Sequence, residues 1–271
     1  MTALPSTLPP TLADAARTVL TTADAARKVR LTRRYTDAWA EGEITNVGET
    51  PPPDRPARPA EPDLSAPRDV PRRRLGSVQG RAAFVHAIAH IELNAIDLAW
   101  DIAARFTGEG LPTAFFDDWC AVARDEAEHF DMLCRRLGQL GAAYGDMPAH
   151  DGLWQAAADT ADDLLARLAV VPMVLEARGL DTTPDAVRRL IDAGDPETAA
   201  ILEKIGTEEI PHVAAGVRWF NFICARRGLD PAATFQATVR RRFQGQIKPP
   251  FNDDARRQAD FPPEYYRPLA A

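Results

Sequence analysis

Apolar residues recur at helical spacing through most of this chain, and the interruptions show where the helices stop. Residues 11 to 41 repeat apolar positions every three or four residues, which predicts a helical stretch. Residues 51 to 74 then carry so many prolines that neither a helix nor an inner strand is open to them. This segment is expected to be extended, either disordered or wrapped on the surface. From residue 77 the helical pattern returns, with helices expected near 77–107, 111–137, 155–180, 184–193 and 196–227. Gly108, Gly110 and Pro112, then Asp181 to Pro184, then Gly194 to Pro196, and finally Gly228 supply the breaks. A short helix is expected after Pro231, followed by a polar, proline-rich tail from Ile247. The tail holds Phe251, Phe261, Tyr265 and Tyr266, so it is expected to dock on the body rather than hang free. The pattern implies an all-α chain in three parts: a helical extension and linker (1–75), a helical bundle (76–230) and a short helix with a wrapping tail (231–271).

Two segments inside the apolar pattern carry chemistry. Asp125-Glu126-Ala127-Glu128-His129 and Glu208-Glu209-Ile210-Pro211-His212 each contain Glu-x-x-His. Residues three apart on a helix share a face, so the carboxylate and the imidazole can grip one metal ion. Glu126 shares its face with Trp119, Val122, Phe130 and Leu133, and Glu209 shares its face with Leu202, Ile205, Val213 and Phe220. Both motifs should therefore point into a core. Glu92 and Glu176 are lone carboxylates on similar inward faces. Glu92 and Glu126 are 34 residues apart, and Glu176 and Glu209 are 33 apart, with the Gly108–Gly110 and Gly194–Pro196 breaks near the two midpoints. Residues equidistant from the turn of a helical hairpin lie at one level. Two such hairpins packed as a four-helix bundle would set Glu92, Glu126, His129, Glu176, Glu209 and His212 around two metal ions, the di-iron or di-manganese carboxylate arrangement. Four unpaired buried carboxylates would consume the whole ~5–15 kcal/mol stability of a domain. Two divalent ions would neutralise them.

Other polar residues are weaker candidates. Asp125 and Glu208 each precede a ligand glutamate, where they can orient a histidine or make an ordinary salt bridge. His86 and His90 are four apart but out of register with Glu92, and read as supporting or core histidines. Pro211 lies inside the second Glu-x-x-His, where it should kink the helix or sit in a π-bulge. Gly206 and Gly216 on the same face could then leave room for oxygen or substrate.

Composition narrows the classes. The net charge of −7 argues against a protein that coats nucleic acid. Arg72-Arg73-Arg74 and Arg240-Arg241-Arg242 read as solvated or salt-bridged faces. Cys120, Cys134 and Cys224 form no CxxC pair and read as reduced thiols in a cytoplasmic protein. No secretory leader and no membrane-spanning run is expected.

The segments AHIELNAIDLAWD, WCAVARDEAEHF, YGDMPAHDGLW, LEARGLD and EEIPHVAAGVRWF together resemble a bacterial family of ferritin-like proteins labelled as a domain of unknown function, over roughly residues 81 to 250. The resemblance implies a ferritin-like bundle with a di-iron-type site and the same six ligands. In such bundles the second and third helices run parallel, and residues 138 to 154 can supply the crossover. The wider superfamily includes ferritins, rubrerythrins, ribonucleotide reductase small subunits and a tRNA-modifying hydroxylase. The leading expectation is an oxygen-activating oxidoreductase using two iron ions, or Mn/Fe, with molecular oxygen or peroxide, a small substrate and an electron donor as partners. An iron-handling ferroxidase or rubrerythrin-like scavenger and a tRNA hydroxylase are the alternatives. A homodimer is compatible with the sequence.

Overall fold

The structure, a computed structural model, describes residues 4–65 and 75–271. Among the described residues it is all-α, with isolated bridges in place of strands. The chain forms two compact units, Met1–Trp154 and Gln155–Ala271.

The first unit begins with α1 (Leu12–Leu20) and α2 (Ala25–Ala40), capped by Thr11 and Asp24. Ser77 caps α3 (Val78–Arg105), which is buried almost all round from Glu92 to Ala104. A helix buried on every face is the centre of its unit. It is long and apolar enough to cross a membrane by length and composition alone, and 72% of its most apolar stretch is buried in the folded chain, as in a core helix. A 3-10 turn (Thr107–Glu109) and Gly110 at φ 62° reverse the chain into α4 (Thr113–Gln139), which lies along α3. α1 packs on α3, and α2 packs on α4.

The proline-rich stretch is extended and wrapped, as far as residue 65. Leu12 N donates to Asn46 O (2.9 Å), Ala57 N to Leu20 O (2.7 Å), and Ser65 N to Ala149 O (2.8 Å). Arg58 reaches Asp97 on α3 (3.6 Å), which also pairs with Lys28 of α2. Arg72, Arg73 and Arg74 lie outside the described residues.

The second unit departs from the expected boundaries. α5 (Gly152–Ala158) starts before it, and α6 (Leu164–Val170) opens at the cap Asp163. From there a π-helical turn (Val171–Glu176) and α7 (Ala177–Asp192) continue without the break expected at residues 181–184. Pro184 sits inside α7 and removes the N–H that would bond Leu180 O. Asn252 Nδ2, from the tail, donates to that carbonyl instead (3.2 Å). Gly194 (φ 75°) and the cap Asp195 then turn the chain into α8 (Pro196–Arg227), as the sequence predicts.

α8 stays α-helical through Pro211, and the π-turn forms around Pro172 instead. Gly206 and Gly216 do not open space. A Cβ at Gly216 would lie 2.5 Å from Pro172 Cβ, and one at Gly206 would lie 2.8 Å from Thr183 Cγ2. At both positions the neighbouring side chain fills the space a Cβ would need.

After α8 come α9 (Pro231–Arg242), α10 (Asp253–Gln258) and α11 (Pro263–Tyr266). The tail docks on unit 2: Phe261 and Tyr265 pack against Phe235 of α9, and Tyr265 Oη donates to Asn221 Oδ1 on α8 (2.8 Å). Arg242 pairs with Asp162 (2.8 Å) and Arg241 approaches Asp163 (3.9 Å), so this basic cluster is a salt-bridged edge.

Candidate metal centre

In the first unit the hairpin register brings a carboxylate of α3 to the level of a Glu-x-x-His of α4. Glu92 is 4% exposed, and Glu126 and His129 are fully buried. His129 Nδ1 lies 3.4 Å from Glu126 Oε2 and 3.5 Å from Glu92 Oε2. One ligand atom from each of the three falls within 4.8 Å of the others. Burial alone would depress the basicity of His129, but its bonds to Glu126 and Glu92 and their negative charge outweigh this and push its pKa up to about 11.

This buried Glu/His cluster could hold a metal ion. Its donors are carboxylate oxygens and an imidazole nitrogen, with no thiolate among them. The cysteines are elsewhere and free, and burial raises their thiols above the usual range.

The second unit carries the other Glu-x-x-His pair. His212 Nδ1 lies 3.4 Å from Glu209 Oε2 on α8, with both side chains largely buried. Glu176 is the last residue of the π-turn and is half-buried. The same turn seats Pro172 against Gly216 of α8.

The supporting candidates divide. His86 Nε2 accepts from Gly145 N (3.0 Å). His90 Nδ1 is 2.8 Å from Tyr144 Oη, and its Nε2 is 3.1 Å from His150 O. Both rings stack on Tyr144, so these histidines tie the 144–150 loop to α3. Burial, then the nearby Arg58 charge, lowers the pKa of His90 to about 4. Glu208 pairs with Lys204 one turn away (2.5 Å), the ordinary salt bridge of the two readings. Asp125 is half-buried on α4.

Sequence reading missed two buried ion pairs: Lys28 with Asp97, and Arg256 with Asp181 (2.7 Å). The signal for the first is an aspartate inside the apolar run of α3, since a buried charge there requires a partner. The second had no local signal, because its members are 75 residues apart.

A family model described as "Protein of unknown function (DUF455)" matches residues 21–267. A Haemophilus influenzae protein described as "Uncharacterized protein" is 44% identical over 212 residues, which cover 76% of this chain and 73% of the relative. No solved structure gives a significant match.

Proposed function

The chain belongs to the DUF455 family of proteins of unknown function, and on that premise we propose that it is a two-metal oxidoreductase of the ferritin-like kind. The observation that carries this reading is the convergence of Glu92, Glu126 and His129 in a buried space. The repeated arrangement extends it. Glu176, Glu209 and His212 reproduce the same residue types at a hairpin spacing of 33 against 34, and we read the two hairpins as halves of one four-helix bundle.

In this reading Glu92, Glu126, Glu176 and Glu209 supply four negative charges, and His129 and His212 supply neutral nitrogens. Two divalent ions balance that set, with iron the first choice and Mn/Fe the second. When bound, the ions would supply the electrons that reduce molecular oxygen or peroxide. The chain's own part is to hold the ligands without water. Ala123, Ala127, Phe130 and Leu133 surround the motif on α4 and are all buried, which raises the strength of every charge interaction there. The substrate is a small molecule, an external donor restores the electrons, and the setting is cytosolic, in keeping with three free thiols.

The test is metal per chain after anaerobic ferrous loading, exposure to air and desalting. About two irons per chain, lost in Glu126→Ala, supports the reading. Many irons per chain would turn it into iron storage. Less than one, with Glu126→Ala making no difference, would refute a metal centre.

A further inference from the structure

Glu176 ends the π-turn, and the residues after it are fastened from outside their own helix. Four of the next five bond to the C-terminal tail. Arg178 Nη1 donates to Lys248 O (2.8 Å) and to Pro250 O (3.1 Å). Leu180 O accepts from Asn252 Nδ2 (3.2 Å), and Asp181 Oδ1 accepts from Asn252 N (2.9 Å). Arg256 spans the Asp181 carboxylate, donating from Nε to Oδ1 (2.9 Å) and from Nη2 to Oδ2 (2.7 Å). The same Nη2 reaches Ala177 O at 3.5 Å.

The central pair of this set is deep and rigid. Asp181 is 5% exposed and Arg256 is 3% exposed. A fork of two parallel bonds fixes a carboxylate and a guanidinium in plane as well as in distance. The guanidinium is also packed, with Cζ 4.2 Å from the Tyr266 centroid, 5.2 Å from Phe261 and 5.3 Å from Phe251. The tail therefore holds Arg256, Arg256 holds Asp181, and Asp181 lies one turn and a half beyond Glu176.

The start of the π-turn is seated on α8, where Pro172 fills the space beside Gly216. Such turns are rare, and frequent at functional positions. This one is held by α8 near its start and by the tail just past its end, and its last residue is a glutamate.

We propose, on the reading that Glu176 holds a metal ion, that the tail from Lys248 to Arg256 is a brace that sets the position of that carboxylate. Arg178, Asp181 and Arg256 are its positioning residues. None of the three belongs to the Glu/His set, so their effect on metal runs through Glu176. Losing a group that orients a metal ligand costs about 10–100-fold in metal affinity.

Calorimetric titration of the metal-free full chain with cobalt chloride tests the brace. Glu176→Ala identifies the ion that depends on this carboxylate. Arg178→Ala should weaken that ion at least about tenfold and leave the other unchanged. The Arg178 side chain is 42% exposed, so this variant should stay folded. Arg256→Lys keeps the charge but cannot span both oxygens of Asp181, and should act in the same way. In the Glu176→Ala background neither substitution should weaken cobalt further, since no carboxylate is left to position. Tyr265→Phe removes a tail bond that ends on Asn221 of α8, and should leave both ions unchanged. Unchanged affinity in folded Arg178→Ala or Arg256→Lys, an equal loss in Tyr265→Phe, or a further loss in the Glu176→Ala background would each overturn the brace and leave the two-metal reading standing. A wild-type chain that takes up no cobalt, or a Glu176→Ala chain that binds as the wild type does, would refute that reading of Glu176 and the brace with it.

Discussion

The two hairpins carry the same chemical motif in different mechanical settings. In the first, Glu92 comes from a regular helix buried on all sides, and His129 lies against two carboxylates. In the second, Glu176 closes a π-turn, is half-buried, and is followed by a helix that contains Pro184. His212 meets the carboxylate of Glu209 on its own helix. The first hairpin is regular through its Glu and Glu-x-x-His, whereas the second carries a π-turn at Glu176, and such turns are frequent at functional positions.

The sharpest way to break this contrast is to remove each histidine. His129→Ala leaves Glu92 and Glu126 buried without their cation. It should cost the metal-free chain about 3–5 kcal/mol in denaturant unfolding. His212→Ala should cost less, about 1–3 kcal/mol, because Glu209 retains some exposure. Equal losses would mean that the two halves are equally rigid.

Acid should also weaken the first half. His90 is held neutral at a folded pKa of about 4, against 6.5 when unfolded. The unfolded chain therefore takes up the proton first, so this contribution is present above pH 6.5 and is lost as pH falls from 6.5 towards 4. His90→Gln should flatten the pH dependence of the denaturation midpoint in that window. An unchanged slope would show that another group controls it.

Glycines sharpen the comparison further. Gly216→Ala drives a methyl into Pro172 and should destabilise by about 1–3 kcal/mol. Gly138→Ala on α4 meets nothing within 4 Å and should stabilise by about 0.5–1 kcal/mol. Thermal unfolding of the pair checks both signs. Asn252→Ala should cost about 1–2 kcal/mol, by leaving Leu180 O without its donor and α10 without its cap. Faster amide exchange in α7 as well as α10 would locate the Leu180 part of that loss.

Most of the first half was legible in the sequence because its signals are local. Gly108 to Pro112 mark a turn that the chain makes where they stand, and α3 and α4 lie within two residues of the expected ranges. Glu92, Glu126 and His129 stood out because ionisable groups in an apolar stripe are costly unless used. The second half misled where a distant residue decides the outcome. Pro184 reads as a stop, yet α7 runs through it, and Asn252 from the tail donates to the carbonyl it leaves open. Pro211 reads as the place for a π-turn, but the close seat of Pro172 on Gly216 goes with the distortion one helix earlier. Neither fact is written within a helix length of the residue it governs. The basic run Arg240–Arg242 was read as a solvated or salt-bridged face, and Arg242 and Arg241 do meet Asp162 and Asp163, partners about 80 residues away that the run itself does not reveal.

The bond from Asn252 to Leu180 spans 72 residues, and this has a consequence in time. On the ribosome α7 emerges well before the side chain that completes it. At about 5–20 residues per second the delay is about 4–14 s. Through that interval the nascent second unit carries an unfinished helix, and the tail's arrival is the event that locks it. A pause in translation just ahead of residue 252 would prolong exposure to proteases and chaperones, whereas a pause just after the first unit would not.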